Sequence, residues 1–185
     1  NEAKKNLVIN NKIKKIILKH DDIIKNIQQH NFEDYDLVTG SAFLDIMPAD
    51  WFKKFYTKNR NTKLVYFSIN YDGYFKFYPK HNLDRDFLEL FNHDQKSKKN
   101  NKTKAIGPDC SDIINNWFSI THKCYLFKSN WTDVKNKNFQ LMFLDFCENI
   151  IKKNRKTNFS EWLDFRKENI IKNNSKLSVS NKDFL

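Results

Sequence analysis

Tyr35-Asp36-Leu37-Val38-Thr39-Gly40-Ser41-Ala42-Phe43-Leu44-Asp45-Ile46 decides the fold, because its character changes at a glycine. Up to Gly40 it is a short apolar run, the pattern of a buried strand. Beyond Gly40 come two small residues and then an acidic one. Pro48 next opens a helical pattern to about residue 58, in which Trp51, Phe52 and Phe55 share one side. A buried strand that ends in small residues and feeds a helix is the repeating unit of an α/β sheet.

Toward the amino terminus, residues 1–12 read as the tail of a helix and a turn, and residues 13–18 as a short β-branched strand. Asp21 and Asp22 lie just past its carboxyl end, followed by a short helical face of Ile23, Ile24 and Ile27. In the other direction, residues 63–70 read as a third strand. Tyr71-Asp72-Gly73-Tyr74 then carries an Asp-Gly turn signal into Phe75, Phe77 and Tyr78, which predicts a hairpin. Residues 84–96 form a helical pattern with Phe87, Leu88 and Phe91 inward. The polar, positively charged residues 96–104 read as a mobile linker of lid length. Gly107-Pro108-Asp109 introduces a helix to residue 118, residues 123–128 alternate as a strand, and residues 139–151 and 159–171 are amphipathic helices. Residues 177–179 make a last short strand. Alternating strands and helices with an antiparallel finish predict one α/β sheet sandwiched by helices.

Composition bounds the function. A chain of 185 residues with 39% hydrophobic content can bury a core and is expected to fold. It has no apolar run approaching the roughly 20 residues that cross a bilayer, so no membrane partner is expected. Cys110, Cys124 and Cys147 are odd in number and far apart, which argues against a disulfide framework or a zinc site and for a reducing cytoplasm. No histidine pair or carboxylate cluster has metal-ligand spacing. The chain opens at Asn1 without an initiator Met and reads as a piece of something longer. A formal charge of +11 admits a nucleic-acid partner, since neutralised phosphates release counterions. The excess of Lys over Arg, together with abundant Asn, Ile and Phe, is the bland signature of A/T-rich codons.

The stretch from Asp36 to Ile46, with Trp51 behind it, resembles the fourth strand and following loop of class I S-adenosylmethionine-dependent methyltransferases. Tyr71-Asp72-Gly73, Asn92-His93-x-Gln95, Gly107-Pro108-Asp109, Ser129-Asn130-Trp131 and Trp162-x-x-x-Arg166 are similar, in the same order, to a bacterial branch of that superfamily. The resemblance covers nearly the whole chain and rests on the ordered set. It implies a Rossmann-like sheet flanked by helices with an antiparallel carboxyl-terminal strand. The family's glycine-rich loop has no counterpart among Gly40, Gly73 and Gly107. By this alignment residues 1–185 are a single incomplete methyltransferase domain, missing the first two strands and leaving a gap between the first and second visible ones.

The resemblance also implies a site. S-adenosylmethionine carries an activated methyl group, so the protein needs chiefly to align an acceptor and exclude water. Asp21 or Asp22 would meet the adenine, and Gly40, Ser41, Ala42 and Asp45 the methionine end. Trp51, Tyr71, Asp72, Asn92, Gln95, Asp109 and Trp131 would shape the pocket of an unidentified, small-molecule acceptor. His93 is the candidate general base, because its ordinary pKa lies near neutrality. Each residue also has a plainer role: Asp21, Asp22 and Asp45 as helix caps, Asp72 as a turn former, His93 at a helix end and Trp131 as core. The alternative to an enzyme is a basic, nucleic-acid-associated or partner-binding α/β domain working through residues 96–104.

Overall fold

Two strands, both longer than their local signals predict, organise the sheet. The computed structural model of the chain describes residue 17 and residues 19–97, 99–100 and 103–185. Val38–Ser41 forms β1 and Val65–Tyr78 forms β2, a single strand of 14 residues. The hairpin expected at residues 71–74 is therefore not made. The Asp72-Gly73 pair instead occupies an irregularity in the ladder between Tyr71 and Phe75, with Gly73 at φ 94. The chain runs straight because the whole of β2 has a partner. That partner is the last strand of the chain, Lys176–Phe184, which is nine residues long where residues 177–179 were expected. A long ladder outweighs one local turn preference.

β1 pairs parallel with the first residues of β2, from Val38 opposite Val65 to Ser41 opposite Ser68. Lys99–Asn100 (β3) and Thr103–Lys104 (β4) pair with each other inside the stretch expected to be a linker. Leu126–Lys128 (β5) and Trp131–Val134 (β6) both pair antiparallel with Lys176–Phe184, which is β7. β6 had no signal of its own in the sequence. The five-stranded mixed sheet runs β1-β2-β7-β5, with β6 also on β7. The strand expected at residues 13–18 lies, apart from residue 17, outside the described residues, as does the gap expected beside it.

The irregularities in β2 distribute its apolar residues between both sides of the sheet. Phe67 pairs with Phe184 and Asn70 with Lys182, whereas Tyr71 pairs with Asn181, Phe75 with Val179 and Phe77 with Leu177. Alternate residues of β7 face opposite ways, so Phe67 and Phe184 lie on one face and Tyr71, Phe75 and Phe77 on the other.

Helices cover both faces. Ile23–Asn26 (α1) is capped by Asp22, whose side chain accepts from Ile24 N and Lys25 N. Ala49–Asn59 (α2) buries Trp51, Phe52 and Phe55, and Cys110–Phe118 (α4) buries Ile114 and Phe118; these pack with Val65, Phe67 and Phe184. On the opposite face Asp84–Ser97 (α3), Lys137–Lys153 (α5) and Ser160–Ile171 (α6) close over Phe75, Phe77, Leu177 and Val179. Each fully buried large side chain contributes about 1.5–3 kcal/mol, so these two aromatic-rich layers hold the helices. The chain is thus an α/β protein with a mixed open sheet between helices, compatible with the Rossmann-like expectation.

One buried charge ties this second layer together. Arg166 of α6, with no exposed surface, donates to Pro79 O and to Asp84 Oδ1, and Trp162 Nε1 donates to the same Asp84 Oδ1 at 2.8 Å. The guanidinium also lies 5.2 Å from the Phe77 ring centre. Trp162 and Arg166 are thereby structural, linking α6, the start of α3 and the end of β2.

Candidate functional site

The parallel pairing of β1 with β2 stops at Ser41 and Ser68, and the next residue of each strand adopts a left-handed backbone: Ala42 at φ 54 and Ile69 at φ 56. For a β-branched residue this conformation is a genuine outlier costing about 1–2 kcal/mol. It persists where surrounding structure imposes it, and here Asp183 of β7 does so. Its Oδ1 accepts from Ile69 N at 2.8 Å and from Ser129 Oγ at 2.5 Å, while Oδ2 accepts from Tyr66 OH at 2.9 Å. Burial pushes the Asp183 carboxyl upward, but these three donors outweigh it and hold it below the usual carboxylate range.

Beside these two residues opens a cleft of about 290 Å³. Ala42, Asp45 and Ile46 line it from the loop after β1, and Ile69, Tyr71, Val179 and Asn181 from the sheet. Phe91 and Gln95 of α3 and Phe143 and Phe146 of α5 line the helical side, and Trp131 of β6 stands at the rim. The Phe91 ring lies 5.5 Å from both Tyr71 and Phe146. Among the described residues, Asp45 is the only carboxylate in the lining.

Three of the segments singled out in the sequence interlock around this cleft. Tyr71 OH donates to Asn92 Oδ1 at 2.9 Å, and Asn92 Nδ2 donates to Gly73 O at 2.8 Å. A Cβ at Gly73 would sit 3.1 Å from Pro108, and one at Gly107 would sit 2.9 Å from Lys96 Cγ. Both glycines have positive φ, 94 and 68, so side chains there meet backbone strain as well as crowding. Asp109 does not line the cleft; its Oδ2 accepts from Lys96 Nζ at 2.7 Å and fastens the 107–109 turn to α3. Burial, then the nearby Asp72, Cys147 and Asp45, push the Tyr71 phenol upward, so it stays protonated.

Of the expected site residues, Ala42, Asp45, Tyr71, Gln95 and Trp131 line the cleft, and Asn92 braces it from behind. The remainder lie elsewhere. Asp21 accepts from Asn26 and pairs with His30 at 2.6 Å, and Asp22 caps α1, so both are committed to the amino-terminal turn. Trp51 is core: it stacks on Phe55 at 4.8 Å and donates Nε1 to Ile23 O. His93 is exposed on α3 and absent from the lining, as its helical spacing from Asn92 dictates. Gly40 lets Phe43 and Phe67 close over β1, where a Cβ would meet them at 2.7 and 2.9 Å. Ser41 is exposed at the strand tip, and Asp72, near enough to raise the Tyr71 phenol, stands in the ladder irregularity and outside the cleft lining.

Sequence reasoning missed Ile69, Phe91, Phe143, Phe146, Val179, Asn181 and Asp183. Phe143 and Phe146 carry a helical spacing that reads equally well as core, and nothing local marks Ile69 or Asp183. All three thiols are free. Burial raises all three, pushing Cys110 up to about 12, so none is poised as a nucleophile. Among the described residues no three His, Cys, Asp or Glu side chains gather as a metal site, and no helix is long and apolar enough to cross a membrane.

Fold and site together define an α/β protein with an aromatic, singly acidic cleft off the end of a parallel strand pair. The chain matches no protein-family model and no curated protein.

Proposed function

We propose that the cleft serves S-adenosylmethionine-dependent methyl transfer, holding the methyl-bearing end of the cofactor against a small, largely apolar acceptor. The observation that carries this reading is a convergence. The segments resembling class I methyltransferases at residues 42–45, 71–73, 92–95 and 107–109 meet around one cleft, off the strand ends where open α/β sheets take ligands.

The residues fit part of the cofactor. Aromatic walls and the Asp45 carboxylate suit a sulfonium cation, whereas Asp21 and Asp22 are engaged in local hydrogen bonds and do not line this cleft. When bound, the cofactor supplies a methyl group already activated for transfer. The chain's own contribution is placement. Ala42 leaves its backbone open to close approach, Asp45 faces the sulfonium, and Gln95 and Asn181 are the polar groups that orient an acceptor. Phe91, Phe143 and Phe146 exclude water. Tyr71, protonated and donating to Asn92, positions rather than takes a proton. His93 has no part in this mechanism, because it points to solvent.

Isothermal titration of the full-length gene product with S-adenosylhomocysteine tests the reading. Saturable binding that is lost in Ala42→Val, with the fold retained by circular dichroism, is the expected result. No heat of binding up to millimolar ligand removes the proposal.

A further inference from the structure

Beyond its irregular region, β2 has helices on one side only among the described residues. Phe75 and Phe77 face that helical layer, so Lys76 and Tyr78 project from the other side, and Tyr74, in the ladder irregularity just before Phe75, lines the same groove as Lys76. Tyr74 is 51% and Tyr78 60% exposed. Across the ladder Lys76 stands opposite Ser178 and Tyr78 opposite Lys176. Asn130, Thr132 and Asp133 extend the surface toward β6, and two grooves of about 180 and 320 Å³ meet at Lys76, Asp133 and Ser178. Lys80 also lines the first groove. The grooves thus carry three lysines against one carboxylate, Asp133, which lies 3.9 Å from Lys176.

We propose that this sheet face is a platform for single-stranded RNA. Two exposed tyrosines four residues apart on one strand stand about 13 Å apart along the backbone, and every base has a face that stacks on such a ring. Lys76, Lys80 and Lys176 supply phosphate-neutralising charge between and beside the rings, in keeping with the net charge of +11. Ser178, Ser180 and Asn130 place hydroxyl and amide groups along the same surface, where a ribose 2′-OH, itself donor and acceptor, distinguishes RNA from DNA. This surface differs from residues 96–104, which offer charge without aromatic faces. It meets the cleft at Trp131 and Val179, but Tyr74, Tyr78 and the three lysines lie outside the cleft lining.

Fluorescence anisotropy with a labelled oligouridylate of about twelve nucleotides tests the assignment on the full-length protein. The expected result is binding that weakens steeply with salt and is at least tenfold weaker in Tyr74→Ala/Tyr78→Ala. Lys76→Gln/Lys176→Gln lowers the salt slope by about 1.4, at roughly 0.7 per phosphate contact, and the matching oligodeoxyuridylate binds more weakly. Both double variants change only exposed or half-exposed side chains and keep the wild-type circular dichroism. The proposal is overturned by absence of binding at low salt, by undiminished binding of the tyrosine variant, or by equal affinity for the deoxy oligomer. Self-association of the protein that the same tyrosine substitutions abolish overturns it too, since a second copy would then occupy the face.

Discussion

Ile69 holds a conformation its side chain disfavours, and Asp183 is what imposes it. Removing that carboxylate strands three donors at about 0.5–1.5 kcal/mol each. Asp183→Ala is therefore expected to cost about 2 kcal/mol in urea denaturation and to weaken any cleft ligand. The same group makes an acid prediction. Its folded pKa is depressed, so its stabilisation is complete above the unfolded value of about 3.9 and is lost as pH falls through the folded value. Below about pH 4 the wild type should lose stability more steeply than Asp183→Asn. Gly40 gives a second test at this scale. Its φ is unremarkable, but an added Cβ meets the Phe43 and Phe67 rings at 2.7 and 2.9 Å. Gly40→Ala should cost about 1–3 kcal/mol through overpacking, read as a lower urea midpoint with an unchanged slope.

At the level of elements, the helices and the places of β1, β2, β5 and β7 are legible, whereas the lengths and pairing of the strands are not. Phe87 and Phe91 repeat at helical spacing, and Pro48 and Pro108 mark helix starts within a few residues of the pattern they govern. β2 and β7 depend on each other across about a hundred residues of chain. No local signal weighed that pairing against Asp72-Gly73, and β6 exists only because β7 accepts it. The site divides the same way: Tyr71, Asn92 and Gln95 stand in recognisable motifs, whereas the Phe143 and Phe146 wall follows from how α5 docks. The brace joining α3, α6 and the end of β2 offers an element-scale prediction. Asp84→Ala leaves the fully buried Arg166 without its carboxylate and should destabilise by about 3–5 kcal/mol, whereas Arg166→Met, which removes the buried charge itself, should cost distinctly less. Thermal unfolding of the two variants side by side decides this.

Across the whole molecule, the outer edge of β1 has no strand partner among the described residues, and Tyr35, Leu37 and Leu64 are exposed nearby. Open edges beside apolar side chains invite pairing between copies. The protein should show light scattering that grows with concentration, reduced by Leu37→Lys; scattering that stays monomeric would contradict this. The larger claim is that the loop after β1, the middle of β2, α3 and the 107–109 turn form one ligand site. A crystal structure of the full-length gene product grown with S-adenosylhomocysteine tests it most directly. The account predicts the ligand's sulfur in the cleft, in contact with Ala42 and Tyr71. A ligand bound elsewhere, with the cleft unchanged and empty, would contradict it.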